Sequence, residues 1–584
     1  MDRKSLTVLV VAIGLLFLMS PLVDKFFPPV PRKPGMTNEV ASLTNSTSAT
    51  SNAATSSTTT TSTPTTPLPS GRETTLSVTN KSFVWHFTSR GGGISLIELL
   101  DYRAAIDCTR NLPEETNFAS LNTRARLPVL ALSGADSITG DNNYAISQRG
   151  DSVIAEKTLP NGLRITKQFE MVSNYLFTAK LRIENTKGDA VLLPETQVTV
   201  GTATPMATTD DPTTVGVFWY NGAKAEEVTD KYFANRTLGC IPGTPRYNYE
   251  NGTANVNWTA VHNQFFTLAA IPDHPALQVR IHKYDLPRIE TTNAAAAALN
   301  NGYETTLSYA PTNLAGNASI ERTYTFYAGP KEYNRLAQYG QKFNNNLDAI
   351  MGFSGFFGFF SKFLLLSMNG LNAMGLGYGL CIIAITLILK VLFWPLTHAS
   401  TKSAKRMQTL MPQIKVIQDK YKDDPVKKNQ KTMEFYKEHR VNPLGGCLPM
   451  VLQVPVFIGF YWMLRSAIEL RGVHFLWACD LSQPDTIAHI GAFPVNIMPL
   501  IMGVTMLWQS HLTPPSPGMD PSQQKIMRYM PLMFMFILYK MSAGLTLYWT
   551  INNLLTIAQT KLTKATQPPT ATAPAASMAP RKRK

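Results

Sequence analysis

Lys390 is the residue whose placement demands most of this chain. It follows Gly377–Leu389, thirteen residues without a formal charge, or about 20 Å of helix. The apolar text then resumes as far as Leu396, so an ammonium is held within, or near the edge of, any hydrocarbon layer this segment crosses. At the centre of a spanning helix that charge would cost roughly 2.5–3.5 kcal/mol. Two readings stand side by side. The long stem can snorkel to a nearby interface, or the amine can serve a wet cavity. Thr386, one turn earlier on the same face, extends a polar stripe. Further polar residues sit in other apolar runs: Gln453, then Thr505 and Gln509, then Thr546, Thr550 and Asn553 at i, i+4 and i+7. Their plain role is interhelical hydrogen bonding, worth about 0.6 kcal/mol per pair. Their alternative role is to line a hydrated groove around Lys390, where the polar part of a passing peptide could be held.

Other chemistry is thinly represented. No GxSxG elbow, phosphate-binding loop or zinc spacing occurs, and none of Cys108, Cys240, Cys381, Cys447 and Cys479 forms a CxxC pair. Cys381 and Cys447 read as small buried hydrophobes. Spacing alone cannot decide whether Cys108 and Cys240 are joined. His86, His262 and His274 are scattered singly and read as structural. Charged residues make up 16% of the 584-residue chain, below the soluble average of about 25%. The mean hydropathy of −0.06 averages a polar front half and an apolar back half. The net charge of +15 admits nucleic acid, anionic lipid or a cytoplasmic-loop bias, and its distribution decides among them.

The elements that must position these residues fall in a clear order. Met1-Asp-Arg-Lys precedes an apolar run, Leu6 to Val23, with no good cleavage site after it, so residues 1–25 read as an uncleaved first span. Residues 26–71 form a linker; positions 41–70 alone hold 19 Ser or Thr, too polar to offset ordering entropy. Within a domain read as 72–345, the period becomes two over 72–330, as in Phe83, Trp85 and Phe87, in Phe177, Ala179, Leu181 and Ile183, and in Leu277, Val279 and Ile281, and from Lys331 to Ile350 the text becomes helical and polar. Asn161-Gly162, Asn251-Gly252 and Asn301-Gly302 supply turns. That pattern predicts a large antiparallel β-sandwich. Residues 346–372, rich in Phe and Gly, predict an interfacial helix. The region 373–565 then predicts a helical membrane core, with spans at Met374–Leu396, Leu448–Ile468 and Ile487–Trp508. The last apolar stretch, Ile526–Thr560, would be about 52 Å long as one helix. Ser542-Ala543-Gly544 offers a break, giving Ile526–Met541 and Leu545–Thr560.

Charge tests that break. Residues 402–440 carry eleven Lys/Arg against five Asp/Glu, and 561–584 carry six with no acid. Both should lie in the cytoplasm. With the N-terminus inside and the β-domain outside, six spans meet this condition and five do not. Within the loop 400–440, Met407, Leu410, Met411, Ile414 and Ile417 recur on one helical face, and Asp424-Pro425 starts a second helix. The segment predicts a helical hairpin whose apolar stripe docks on lipid or a partner. Residues 566–584 are a basic tail.

The run Cys381-Ile-Ile-Ala-Ile-Thr-Leu-Ile-Leu-Lys-Val-Leu-Phe-Trp-Pro-Leu-Thr397 resembles a span of the YidC/Oxa/Alb insertase family. Val441-Asn-Pro-Leu-Gly-Gly-Cys-Leu-Pro449, Met498-Pro-Leu-Ile-Met-Gly-Val-Thr-Met506, Gln524-Lys-Ile-Met527 and Ser542-Ala-Gly-Leu-Thr-Leu-Tyr-Trp549 are similar to its later spans. The resemblance covers about 350–560; the front half matches the Gram-negative form by layout only. It implies a polytopic α-helical membrane protein with six spans, a five-helix conserved core and a periplasmic all-β supersandwich. It implies insertion and folding of nascent membrane proteins into the lipid bilayer of the inner membrane, alone or with the Sec translocon. It implies no cofactor, no catalysis and no DNA partner, and ribosome contact through the basic tail and cytoplasmic loops. The family's groove cation falls on Lys390, where Arg is usual; Arg is a permanently charged fork, and Lys is a point charge whose ionisation responds to burial. Groove positions carry over to Thr386, Gln453, Tyr548, Trp549 and Asn553, beside Thr505 and Thr550 from the polar stripes. A secondary transporter is the rival from another class. It would need broken helices in inverted halves and buried acids, neither of which the later spans display.

Overall fold

The computed structural model describes residues 72–106, 118–206, 210–236, 243–286, 301–439, 448–491, 493–512 and 521–565. The expected first span, the linker, the basic tail, Cys108, Cys240 and Cys447 lie outside the described residues. The chain divides into two compact units between Gly352 and Phe353.

The first unit is all-antiparallel, as the period-two runs predict. Its largest sheet has nine strands in the spatial order Ala225–Thr229, Gly216–Tyr220, Trp258–His262, Phe266–Pro272, Ser319–Pro330, Leu176–Asn185, Leu163–Ser173, Ser152–Thr158 and Ala145–Arg149. A five-stranded sheet, Asn248–Asn251, Gln278–Asp285, Asn301–Tyr309, Thr196–Ala203 and Leu132–Gly134, packs against it. A four-stranded sheet runs Thr75–Thr79, Phe83–Thr88, Gly93–Arg103 and Phe118–Leu121. Alternation does the work of assembly. Phe83, Trp85 and Phe87 all turn inward and are buried. Trp85 meets Phe177 edge-on at 5.1 Å, and Phe177 stacks on its cross-strand partner Phe326 at 4.8 Å. Where the two larger sheets approach, the Thr196–Ala203 strand carries a bulge at Thr199–Gly201. A methyl group on Gly201 would lie 2.9 Å from Leu268 Cδ2, so only glycine lets the layers close there. Asn161-Gly162 and Asn251-Gly252 sit at turns, but Asn301-Gly302 opens the strand Asn301–Tyr309 instead. The helix α1 (Tyr333–Phe343) follows the last strand, and Trp258 Nε1 donates to Asn345 O at 2.7 Å to tie down the chain beyond it.

The second unit is helical. Its helices are α2 (Gly355–Ala373), α3 (Tyr378–Leu392), α4 (Trp394–Thr409), α5 (Met411–Lys420), α6 (Pro425–Glu438), α7 (Leu448–Ser466), α8 (Ile497–Leu512), α9 (Pro521–Ile537) and α10 (Ala543–Ala565). The glycines near 352–358 do not divide α2, which runs 19 residues. Ser361 Oγ donates to Gly459 O at 3.0 Å, and a methyl on Gly459 would fall 2.7 Å from Phe360 Cβ; this small-residue contact seats α2 on α7. A break does separate α9 from α10, but it falls at 538–542, and Ala543-Gly544 open α10 instead of interrupting it.

Three expectations are corrected. The span Met374–Leu396 is not one helix: α3 ends at Leu392 and α4 leaves at 57°. Pro395 has no N–H to give Val391 O and its ring would strike that carbonyl. The span Ile487–Trp508 begins as a β-hairpin, Thr486–Ile490 with Phe493–Asn496, because Gly491 turns at φ +61° and Pro494 follows; helix starts only at Ile497. The apolar stripe of the 400–440 segment is covered in part: Met407 and Ile414 are buried with Tyr436, packed by Leu410 and Phe435, while Met411 and Ile417 stay half-buried. Asp424 does cap α6, its carboxylate accepting from Lys427 N at 3.0 Å. Among the described residues no single helix is long and apolar enough to cross a membrane. The bent pair Tyr378–Leu392 and Trp394–Ser400 passes together.

Two buried bases in the first unit make its stability depend on pH. Lys167 is enclosed, donating to Gly91 O at 2.5 Å beneath the Tyr144 ring, and burial holds its amine well below the usual lysine range. Burial, and then the Lys331 ammonium, hold His262 well below its ordinary value; its Nδ1 lies 3.2 Å from Asn263 O and its Nε2 3.6 Å from Glu227 Oε1. The unfolded chain therefore takes up the histidine proton first. Stability from a neutral His262 is complete above about pH 6.5 and is lost as pH falls, by at most about 1.4 kcal/mol per pH unit. His262→Gln should flatten the acid side of the thermal-midpoint profile between about pH 6.5 and 5. An unchanged acid side would assign the loss to another group.

Candidate functional site

α10 is the element on which the polar side chains of the helical unit converge, packing on α3, α7 and α8. Its sequence places Tyr548, Asn552, Thr556 and Gln559 at i, i+4, i+8 and i+11, a single stripe. Lys390, in the last turn of α3, reaches that stripe. Its Nζ donates to Thr556 Oγ1 at 2.7 Å and to Asn552 Oδ1 at 3.4 Å. Thr556 can accept because its own hydroxyl proton goes to Asn552 O at 2.7 Å. One turn along, Gln559 Nε2 donates to Thr397 Oγ1 at 2.7 Å, and Thr397 donates to Phe393 O at 3.0 Å. At the other end of the stripe Gln453 Nε2 donates to the Tyr548 hydroxyl, and the Tyr548 ring stacks on Phe460 at 4.2 Å. An ammonium has three protons to place. Two go to neutral oxygens here, and among the described residues no carboxylate stands within ion-pair distance of it.

The second stripe of α10, Thr546, Thr550 and Asn553, lies roughly 130° round the helix from the first. It meets α8, where Asn553 Nδ2 donates to Thr505 Oγ1 at 3.2 Å. Thr550 donates to Thr546 O at 2.7 Å and Thr386 to Ile382 O at 2.6 Å, so each hydroxyl is met by its own helix. Trp549 contributes aromatic packing, with Phe457 edge-on at 4.6 Å and Phe534 at 5.8 Å. The sequence-expected residues are thus gathered on α10 but divided between two of its faces. Gln453 and Tyr548 share the lysine's face; Thr505, Thr550 and Asn553 occupy the other. Asn552 and Thr556, the acceptors of the cation, and the Gln559–Thr397 pair one turn along are residues the sequence reading missed. Their signal was present in the four-residue spacing that begins at Tyr548, beside the stripe that was chosen. Cys381 is a buried free thiol hydrogen-bonded to Leu376 O at 3.4 Å.

The chain thus joins an antiparallel β unit to a bundle of short apolar helices in which Lys390 meets the polar stripe of α10. Comparison with known proteins makes this specific. Residues 75–366 match the family described as YidC periplasmic domain, and residues 370–570 match 60Kd inner membrane protein. The chain is 29% identical over 582 residues to the membrane protein insertase YidC of Maridesulfovibrio salexigens, covering 96% of this chain and 98% of that one. It is 39% identical over 308 residues to the membrane protein insertase YidC of Syntrophus aciditrophicus, covering 52% and 51%. The match thus spans about half the length of that second relative. A crystal structure of an active YidC insertase with its first transmembrane domain resolved aligns over 86% of this chain and 95% of that one, at 18% identity and a TM-score of 0.35. The chain belongs to the YidC family of membrane protein insertases, bacterial inner-membrane proteins with a periplasmic domain.

The double variant Asn552→Ala/Thr556→Val removes both acceptors from Lys390. Leaving a buried donor unmet costs about 1–3 kcal/mol. Denaturant unfolding in detergent should show a loss of that size, and the same double variant in a Lys390→Met background should lose much less.

Proposed function

We propose that this protein inserts nascent membrane proteins through a hydrated groove between α3, α7 and α10, with Lys390 as its cation. The observation that carries the reading is the ammonium in an otherwise apolar helix, hydrogen-bonded to Thr556 and Asn552 and, among the described residues, to no acid. A cation held only by neutral dipoles keeps its attraction for an incoming acidic or polar segment. Gln453, Tyr548, Asn552, Thr556 and Gln559 offer exchangeable hydrogen bonds along one path, while Leu387, Ile388 and Val391 on α3 are exposed and suit contact with lipid. A polar stretch would dwell on the stripe as its apolar neighbour moves past α3 into the bilayer. Thr386, Thr505, Trp549, Thr550 and Asn553 then support the groove by packing and by bonding within the bundle.

The topology that suits this has six spans, both termini in the cytoplasm and the β unit outside. It makes residues 1–25 the first span, 26–71 a tether, 346–372 an interfacial segment and 373–565 the core. The 15 residues of α3 and 16 of α8 are only about 22 and 24 Å long, against a hydrocarbon core of about 30 Å. Such helices favour local thinning, which shortens the polar segment's passage. The basic hairpin and the tail 566–584 carry the charge to meet ribosomal RNA, and the core would act alone or beside the Sec translocon.

Reconstituted vesicles and protease protection test the scheme. Lys390→Ala should reduce insertion of a substrate with an acidic translocated segment, Lys390→Glu should reduce it further, and Lys390→Arg should retain it. Full activity of the Glu variant would remove the cation from the mechanism. Deletion of 75–330 at normal protein levels should leave residual insertion, since the proposed machinery lies in the helical unit.

A further inference from the structure

The β-hairpin between α7 and α8 has no role in the groove, and its surface is unusual. Thr486–Asn496 contains no Lys, Arg, Asp or Glu, and His489 is its one titratable side chain. Ile490 is 75% exposed, Phe493 55% and Ile487 46%. A lone two-stranded hairpin is marginal in water. This one is nonetheless fastened at its base. Phe493 stacks on Tyr539 at 5.1 Å, the Tyr539 hydroxyl donates to Pro494 O at 2.7 Å, and Asn496 Nδ2 donates to Tyr539 O at 2.8 Å. Thr486 Oγ1 donates to Asn496 Oδ1 at 2.7 Å, closing the strands. On the α7 side Asp485 accepts from Trp477 Nε1 at 2.8 Å and from Met498 N at 2.6 Å, which caps α8. The hairpin is therefore a fixed projection, with no route to bury its apolar tip against its own base.

We infer that this hairpin is an interfacial anchor, its Ile487, Ile490 and Phe493 side chains seated in the outer-leaflet headgroup and upper acyl region of a phospholipid bilayer. Continuity favours lipid as the occupant. The clamp at Tyr539 joins the hairpin to the end of α9, where Phe536 is 81% and Ile537 53% exposed, so the apolar surface runs on from one to the other. Trp477 and Lys540, both exposed nearby in sequence, are side chains that belong at a headgroup boundary. Lack of charge favours apolar insertion into zwitterionic lipid over electrostatic adsorption to an anionic surface. The depth is limited as well, because the outer edges of a two-stranded hairpin carry backbone groups that hydrocarbon cannot satisfy. An anchor at that depth would fix the height of α8 and α9 in the membrane, and so the level at which Thr505 meets α10.

This inference rests on the membrane placement proposed above, and the test separates the two. A benzophenone amino acid is introduced at Ile490, at Phe536 or at Val426 of the full-length protein, which is reconstituted in phosphatidylcholine vesicles, irradiated and weighed intact. Adducts of one phospholipid at 490 and 536, and none at 426, are expected. Lipid at 536 with none at 490, or a crosslink from 490 to a second copy or to another part of the chain, overturns the anchor and leaves the placement standing. Absence of lipid at 536 overturns both.

Discussion

An ammonium among apolar helices must be given hydrogen-bond acceptors or brought to water, and much of the helical unit can be understood as meeting that requirement. Lys390 is placed in the last turn of α3, where α10 presents Asn552 and Thr556. Thr556 is free to accept because its proton is already committed to Asn552 O. The same economy recurs beside it at Gln559 and Thr397. α10 thereby becomes the axis of the unit. One stripe faces the cation and Gln453, and the other holds α8 through Asn553 and Thr505. Neutral partners satisfy the amine without cancelling its charge, which is the condition for a cation that is to attract something else.

Short elements are the second consequence. α3 stops at Leu392 because Pro395 forbids its continuation, and α8 begins only after the hairpin has used Thr486–Asn496. Neither helix matches an unperturbed bilayer by itself. Length, break points and the apolar hairpin all leave the helical unit with elements shorter than a bilayer's hydrocarbon core.

The β unit obeys different physics. Its cohesion comes from inward-facing aromatics such as Trp85, Phe177 and Phe326, and from the close approach that Gly201 allows. Its buried bases, Lys167 and His262, are structural and tie its stability to the pH of its compartment. None of these depends on the helical unit, in keeping with the division of the chain at Gly352.

Local rules carried the sequence reading a long way. Alternation over 72–330 defined an antiparallel sandwich, Asp424-Pro425 marked a helix start, Ser542-Ala543-Gly544 pointed to a break that falls at 538–542, and the apolar run around Lys390 singled out the cation. Each depends on residues within a turn or two of one another, so each is written in the chain. Tertiary structure alone decided which of two adjacent stripes on α10 meets Lys390, since periodicity says which residues share a face but not what that face touches. It decided that Met407 and Ile414 close on Tyr436 instead of standing open, because that partner lies more than twenty residues away. It also made 486–496 a hairpin, although apolar composition alone reads as a span. Pairing Ile490 with Phe493 and clamping Asn496 to Tyr539 are contacts between segments, and no window along the sequence contains both sides of the second.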